Sequence, residues 1–289
     1  MQSINEIYFQ KEEDPSLEFE IIPLEDFFVQ HSNLAQKPHQ LSFYQLIFIT
    51  SGEGEHEIDF QRLTYKPGTL IPAAVHQVQK FYPDPNTTGY MLLFTPHFLL
   101  DELKSVPLYS ELLIFSSLIS PVTINGSPSE SSVLSDIVYR IHQDYTIQSD
   151  VIEEEILRSE LKILLLKAEQ IKRRQSSIEN NVAFALLSDF RKEIENHIEE
   201  RPSVQTCCRR MGVSEKRLNS ELKEYTGKTA KEIIDERITL EIKRLLSYTD
   251  KYVKEIAYHL GFNDPSNLTT FFKKHTDSTP KEFRESYRH

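Results

Sequence analysis

Tryptophan is absent from this 289-residue chain, and cysteine, methionine and glycine are scarce, at two, three and eight residues. The two cysteines, Cys207 and Cys208, are neighbours. Adjacent thiols on one helix cannot staple a secreted fold, so a reducing compartment is expected. No apolar run approaches the ~18 residues of a membrane span. The start, MQSINEIYFQKEEDPS, lacks a basic segment followed by an apolar stretch. It does not read as a signal peptide, and a cytoplasmic location is expected. Also missing are G-x-S-x-G, a phosphate loop and H-E-x-x-H, the short signatures of several enzyme classes.

What is present divides the chain. The net charge of −11 would oppose nucleic-acid binding if it were spread evenly. Residues 201–289 instead carry 18 Lys+Arg against 13 Asp+Glu, whereas residues 1–200 carry 15 against 31. A basic end on an acidic body is the electrostatic footprint of a DNA-binding domain joined to one that repels DNA. The length suits two domains, and 39% hydrophobic residues suffice for two cores.

The basic end says nearly the same thing twice. Val204 corresponds to Val253 and Gly212 to Gly261 at an offset of 49. Leu218/Leu268, Leu222/Phe272, Lys223/Lys273, Thr226/Thr276, Lys231/Lys281 and Glu232/Glu282 correspond at an offset of 50. One extra residue in the second turn absorbs the change. In the first copy Val204, Cys207, Cys208 and Met211 fall at helical spacing. Gly212 can end that helix in the left-handed region, Val213 plugs the corner and Ser214 caps the next helix. In the second copy Ile256, Ala257 and Leu260 form the stripe, Gly261 turns, Phe262 plugs, and Asn263 or Asp264 caps ahead of Pro265. Each copy therefore predicts helix, glycine turn, helix.

The outward residues of the second helices are Lys216, Arg217, Asn219, Ser220 and Lys223 in one copy. In the other they are Ser266, Asn267, Thr269, Thr270 and Lys273, with Lys274 beside them. Such donors and acceptors suit base edges and phosphates. Any one of them could belong to an ordinary solvated face; a matched pair of faces points to double-stranded DNA. Between the copies, Ala230–Ser247 predicts an uninterrupted helix of about 27 Å at roughly 1.5 Å per residue.

The stretch VKEIAYHLGFNDPSNLTTFFKKHTDSTPKEFR resembles the signature of the AraC/XylS family of bacterial transcription regulators. The residues that carry the likeness are Ile256-Ala257, Leu260-Gly261-Phe262, Phe272-Lys273-Lys274, Thr279-Pro280 and Phe283-Arg284. Asp277 stands where members usually have glycine, and Asp tolerates the left-handed region better than most residues. Cys207-Cys208, opposite Ile256-Ala257, reads as packing. The resemblance implies that the central rod holds the two recognition helices in successive major-groove segments, about 34 Å apart on one DNA face. It also implies activation rather than repression, and RNA polymerase as a further partner open to such a regulator.

Residues 16–94 hold strand-like runs at Leu17–Ile22, Phe43–Ile49, Gly54–Asp59, Gly68–Ile71, His76–Phe81 and Thr88–Phe94, which predict a sandwich or barrel. The stretch FYQLIFITSGEGEHEIDFQRLTYKPGTLIPAAVHQVQKF resembles the cupin-like effector domain of the same family, through the Ser51–Gly54 and Pro67-Gly68 turns, Ile71-Pro72 and His76. His39, His56 and His76, even with Glu55 or Glu57, make an incomplete set for a cupin metal. No metal, cofactor or catalytic residue is expected. By fold analogy a small-molecule effector is expected near His39, Tyr44 and His76, at the barrel mouth.

From Pro96 the pattern is helical. Val133, Ile137, Ile141 and Tyr145 share a face of one helix. A second, about Ser149–Arg173, carries Ile152, Ile156, Leu161 and Ile163–Leu166, apolar on more than one side. One surface is expected to meet the barrel and the other a second copy of the chain, although both could lie within one chain. The expected architecture is multidomain α+β: a cupin-like β-barrel domain at 1–128, a helical dimerisation hairpin at 129–174 and a linker at 175–181. An all-α DNA-binding domain follows at 182–289, with helix-turn-helix motifs at 204–227 and 253–277 and the rod at 230–247. Two other readings are a metal-dependent cupin enzyme, which needs a full ligand set, and a protein-binding adaptor, which needs no doubled basic face.

Overall fold

The computed structural model describes residues 5–7, 18–35, 37–82, 84, 86–95, 97–99, 112–115, 122–147, 151–176 and 181–287. They fall into two compact units, Asn5–Glu179 and Asn180–His289.

The first unit is built from two five-stranded sheets. One has the order β1 (Asn5–Ile7), β3 (His39–Leu41), β8 (Val78–Tyr82), β5 (Gly54–Ile58), β6 (Gln61–Tyr65). The other runs β10 (Ile124–Asn125), β7 (Thr69–Ala73), β4 (Tyr44–Ser51), β9 (Thr88–Phe94), β2 (Phe19–Pro23). All described pairings are antiparallel except β1 with β3. The sheets are two separate ladders, an open sandwich rather than a closed barrel.

Strand β4 explains the layering. Successive side chains on a strand point to opposite faces. Ile47 and Ile49 join Ile58 and Phe81 of the other sheet in the sandwich core. Tyr44, Leu46 and Phe48 point the other way and pack against helices. Leu46 and Ile47 are both wholly buried, so this strand is apolar on both faces. Burial of each such side chain contributes about 1.5–3 kcal/mol.

The covering helices are α2 (Pro128–Ile147) and α3 (Val151–Gln175). Leu157, Leu161, Leu164, Leu165, Ala168 and Ile171 form the buried face of α3, and Ile137 and Ile141 that of α2. Ile152, Ile156, Ile163 and Leu166 are exposed, at 70%, 44%, 46% and 48%. The run that is apolar on several sides is thus divided into a covered face and a bare one. Acidic Glu153 and Glu154 in the first turn and basic Lys172–Arg174 in the last complement the helix dipole.

Helix α1 (Leu24–Ala35) was not expected among the strands. It follows Pro23, buries Leu24, and brings Phe28 edge-on to Phe81 at 5.3 Å. Strand β6 also escapes the sequence pattern because it is a mostly exposed edge with only Tyr65 buried. Gln175 closes α3 and Asn181 opens the next helix; residues 177–180 of the expected linker lie outside the described residues.

The second unit is all helical. It comprises α4 (Asn181–Asn196), α5 (Val204–Met211), α6 (Glu215–Thr226), α7 (Ala230–Tyr248), α8 (Val253–His259), α9 (Pro265–Thr276) and α10 (Pro280–Tyr287). The rod α7 has 19 residues and buries Ile233, Ile234, Ile238, Ile242 and Leu246. Arg237 of the rod, 9% exposed, donates both from Nε and a terminal nitrogen to Glu195 of α4 at 2.8 and 2.9 Å, and to Glu241 at 2.8 Å. Glu195 ties α4 to the rod through this bidentate pair, while Glu241, one turn further along the rod, holds the guanidinium in place.

Candidate nucleic-acid interface

The duplication read from the sequence is a duplication of geometry. Helix α5 ends at Gly212, φ 66°, and α8 runs into Gly261, φ 70°. Directly after each glycine, the Val213 N–H donates to the Cys208 carbonyl at 3.0 Å and the Phe262 N–H to the Ala257 carbonyl at 2.9 Å. These bonds reverse the chain and satisfy carbonyls that a helix end leaves open. The next helices are capped from residues 50 apart. The Ser214 hydroxyl accepts from the Arg217 N–H and the Asp264 carboxylate from the Ser266 N–H. Of the two capping candidates in the second copy, Asp264 is the one used. Its carboxyl is held below the usual range by those bonds to Ser266.

The match continues beyond the second helices. Gly227 and Asp277 both take the left-handed conformation, at φ 72° and 58°. A capping box then opens the helix that follows each. Thr229 and Glu232 exchange bonds at the start of α7, and Thr279 and Glu282 do so at the start of α10. In both boxes the backbone N–H bond lowers the carboxyl pKa, so the anion sits at the positive end of the helix. Arg284 closes the far end of the rod, donating to the carbonyls of Leu246 and Lys251 at 3.0 and 2.6 Å.

Burial follows the same register along α6 and α9. Leu218 and Leu222 are buried in one, Leu268 and Phe272 in the other. Lys216, Arg217, Ser220 and Lys223 are exposed, as are Ser266, Asn267, Thr270, Lys273 and Lys274. Asn219 and Thr269 depart from the outward face assigned to them. Both are half-buried. The Asn219 amide donates to the Glu215 carbonyl at 3.0 Å and its oxygen accepts from the Ala230 N–H at 2.9 Å. The Thr269 hydroxyl donates to the Pro265 carbonyl at 3.0 Å. An open groove of about 950 Å³ beside the first copy is lined by Lys216, Ser220 and Lys223 of α6, Lys231 and Asp235 of the rod, Glu200 of the preceding turn and Gly261 of the second copy. Cys207 is fully buried and its thiol is pushed up to about 11, chiefly by burial, so it packs as a small apolar group.

In the first unit, a polar cluster interrupts the apolar sandwich. His56 is completely buried against Phe81, with ring centroids 4.1 Å apart. Its Nε2 lies 3.1 Å from the Gln79 side-chain oxygen, and the Gln79 amide donates in turn to the side-chain oxygen of Gln45. With a carbonyl oxygen opposite it, Nε2 carries the proton, and Nδ1 is left as a buried acceptor without a protein partner. Burial lowers the His56 pKa to about 3, so the ring is neutral. His39 is buried, pairs across strands with Gln79, and lowers the His56 pKa further. Of the expected effector residues, the structure therefore brings only His39 to this cluster. Tyr44 faces the helix layer, stacked on Phe94 at 5.6 Å. The His76 imidazole is exposed, at a turn with φ 63°. Among the described residues no three His, Cys, Asp or Glu side chains gather as a metal site would need.

Residues 207–286 match a family model described as a helix-turn-helix domain, and residues 26–166 match one described as an AraC-like ligand binding domain. The chain belongs to the AraC/XylS family of transcription regulators. Among its relatives is the HTH-type transcriptional activator RhaS of Enterobacter sp. (strain 638), 24% identical over 280 residues, covering 90% of this chain and 95% of the relative. RhaS of Salmonella agona (strain SL483) is 23% identical and covers 86% and 87%. Among solved structures, the DNA-binding domain of AdpA in complex with a target DNA is 26% identical, covers 35% of this chain and 92% of that one, and has a TM-score of 0.33. ToxT from Vibrio cholerae O395 is 15% identical over 92% of this chain and 97% of its own, with a TM-score of 0.42. This AraC/XylS member thus carries a ligand-binding unit followed by a DNA-binding one. Sequence reasoning missed His56, Gln79 and Gln45 as a group, although all three sit at inward positions of alternating strands, where a polar residue is costly unless partnered.

Proposed function

We propose that this AraC/XylS regulator binds double-stranded DNA with α6 and α9 in successive major-groove segments on one face of the duplex. It does so as a homodimer in the cytoplasm, and it activates transcription when a small molecule occupies the sandwich. The observation that carries the DNA mode is the residue-by-residue equivalence of turn, cap and burial in the two helix pairs. Arg217 and Asn267 are then candidate base readers, and Lys223, Lys273 and Lys274 candidate phosphate contacts. Selection of bound DNA from a random pool tests it. Two short blocks about ten base pairs apart are expected; a single block would sink the two-grip mode.

Supporting the dimer are Ile152, Ile156, Ile163 and Leu166, an exposed stripe on α3 that steps by four or seven residues and then three. That spacing follows the seam of paired helices. A groove of about 170 Å³ lies between Val133 of α2 and Lys167 and Gln170 of α3. The relatives named as transcriptional activators favour activation; RNA polymerase is the further partner that such a role calls for.

The effector reading now rests on His39, His56, Gln45 and Gln79 rather than on Tyr44 and His76. A neutral imidazole and two amides suit an uncharged ligand with hydroxyl or N–H donors, one of which would meet His56 Nδ1. A panel of neutral hydroxylated compounds, scored by the shift in thermal unfolding, tests this. Binding that survives Gln79→Leu unchanged would place the ligand elsewhere.

A further inference from the structure

The rod α7 is not the only link between the two helix-turn-helix copies. The turn ahead of the first copy also reaches the second. Residues Ile198–Glu200 form a single 3-10 turn, and Arg201 leaves it in the left-handed region, φ 51° and ψ 67°. There its guanidinium lies over two aromatic rings of the second copy, 4.1 Å from the Phe262 centroid and 5.4 Å from that of Phe271. Those rings meet each other edge-on at 5.6 Å. Beside them the backbone of the same turn presses on Gly261. A Cβ placed there would stand 2.9 Å from the Glu199 carbonyl oxygen and 3.1 Å from the Glu200 carbonyl carbon. His259 Nε2 lies 3.8 Å from the Glu199 carboxylate. Phe262 is the corner plug of the second motif and Phe271 belongs to its reading helix α9, so the contact fixes the very element whose placement matters. Three features converge on one spot: an unfavourable backbone conformation in a long charged residue, a cation over two rings, and a glycine with no room for a methyl.

We infer that Arg201 is a positioning residue: stacked on Phe262 and Phe271, it sets the distance and phase between α6 and α9, and hence the block spacing this protein accepts. The inference rests on the two-grip reading above. The physical cause is preorganisation. When the first helix is bound, the second finds its block at an effective concentration that is high only if the two are held at the matching separation. One added base pair moves the second block by about 3.4 Å and turns it by about 35°. A clamped pair should refuse that change and a hinged pair should tolerate it.

The test uses the full chain and a set of duplexes. One carries the two selected blocks at their selected spacing, others have one or two base pairs inserted or removed, and one carries a single block. Arg201→Asn removes the guanidinium while keeping a residue that tolerates the left-handed backbone. A cation over an aromatic face is worth roughly a two- to thirty-fold change in an equilibrium constant. Arg201→Asn is therefore expected to bind the selected spacing about two- to thirty-fold more weakly, to match the wild type on the single block, and to show a flatter profile across the altered spacings. Phe271→Leu attacks the same contact from the other side and should flatten the profile likewise. A profile as sharp as the wild type's in both variants would overturn the inference. So would weaker single-block binding with a salt slope lower by about one, since Arg201 would then be gripping phosphate. Indifference to spacing in the wild type itself would bring down the two-grip reading, and this inference with it.

Discussion

The two glycine turns offer a controlled experiment inside one molecule. Gly212 and Gly261 occupy equivalent places, with φ 66° and 70°. Replacing either by alanine forces a side chain into the left-handed region, at about 1–2 kcal/mol. At Gly212 the cost should end there, because nothing lies within 4 Å of the new methyl. At Gly261 the methyl would meet the Glu199 carbonyl oxygen at 2.9 Å and two atoms of the Glu200 carbonyl at 3.1 and 3.2 Å. Those are backbone atoms, which cannot rotate aside, so overpacking adds about 1–3 kcal/mol. Gly261→Ala should thus cost about 2–5 kcal/mol against about 1–2 for Gly212→Ala. Because the chain has two units, a single global melt would mix their transitions. Hydrogen exchange read by mass spectrometry on peptides covering Val204–Thr226 and Val253–Thr276 of the full chain separates them. The difference should appear as exchange faster by about five- to 150-fold in the second peptide of Gly261→Ala than in the first peptide of Gly212→Ala. Equal acceleration in the two variants would refute the close approach of the 198–201 turn to the second copy.

Arg217→Ala should weaken operator binding by about 1–3 kcal/mol and relax preference at one or two base pairs, which a scan of single-base operator variants reads; equal loss on scrambled DNA would contradict base reading. Lys273→Ala should lower affinity for all sequences and flatten the salt dependence by about one unit, so an unchanged slope would contradict a phosphate role. Ile163→Lys, on the bare face of α3, should yield monomers in analytical ultracentrifugation with the fold intact; a dimer of unchanged strength would move the interface elsewhere. His56 has a folded-state pKa of about 3, below its ordinary 6.5, so the unfolded chain binds the extra proton. Stability linked to it is present above pH 6.5 and is lost as pH falls towards 3. The acid sensitivity of the first unit should therefore shrink in His56→Gln, and identical pH profiles would show that the ring is not buried neutral.

What could be read from the sequence was local. Ser214 capping α6, Gly212 and Gly261 turning, and Asp277 entering the left-handed region all follow from chemistry within four residues along the chain. Their physics is short-ranged, and so is the evidence for it. The six strands expected between residues 16 and 94 likewise emerge near their places, because each is an apolar run between turn formers. Parity was harder. The sequence pattern groups Tyr44 with His39 at an effector site, but the face it takes on β4 depends on which neighbour covers which side, and a strand apolar on both faces does not say. His56, Gln79 and Gln45 come from three strands and meet only once the sheets are stacked. Arg201 is the extreme case. It looks like an ordinary loop arginine, and its meaning lies in two rings more than sixty positions further along the chain.

Strand β4 leaves only one backbone's thickness between two interiors. Gln45 and Ile47 look into the space between the sheets, while Tyr44 and Leu46 bear on the helix pair that carries Ile152, Ile156, Ile163 and Leu166 on its outer face. Close-packed protein transmits strain instead of absorbing it. A guest that parts the sheets by a fraction of an ångström therefore has no cushion to compress: it must push the ribbon, and the ribbon must push α2 and α3. On the proposed reading, binding a ligand and passing its effect to the helices belong to the two sides of one strand, residues 44–49.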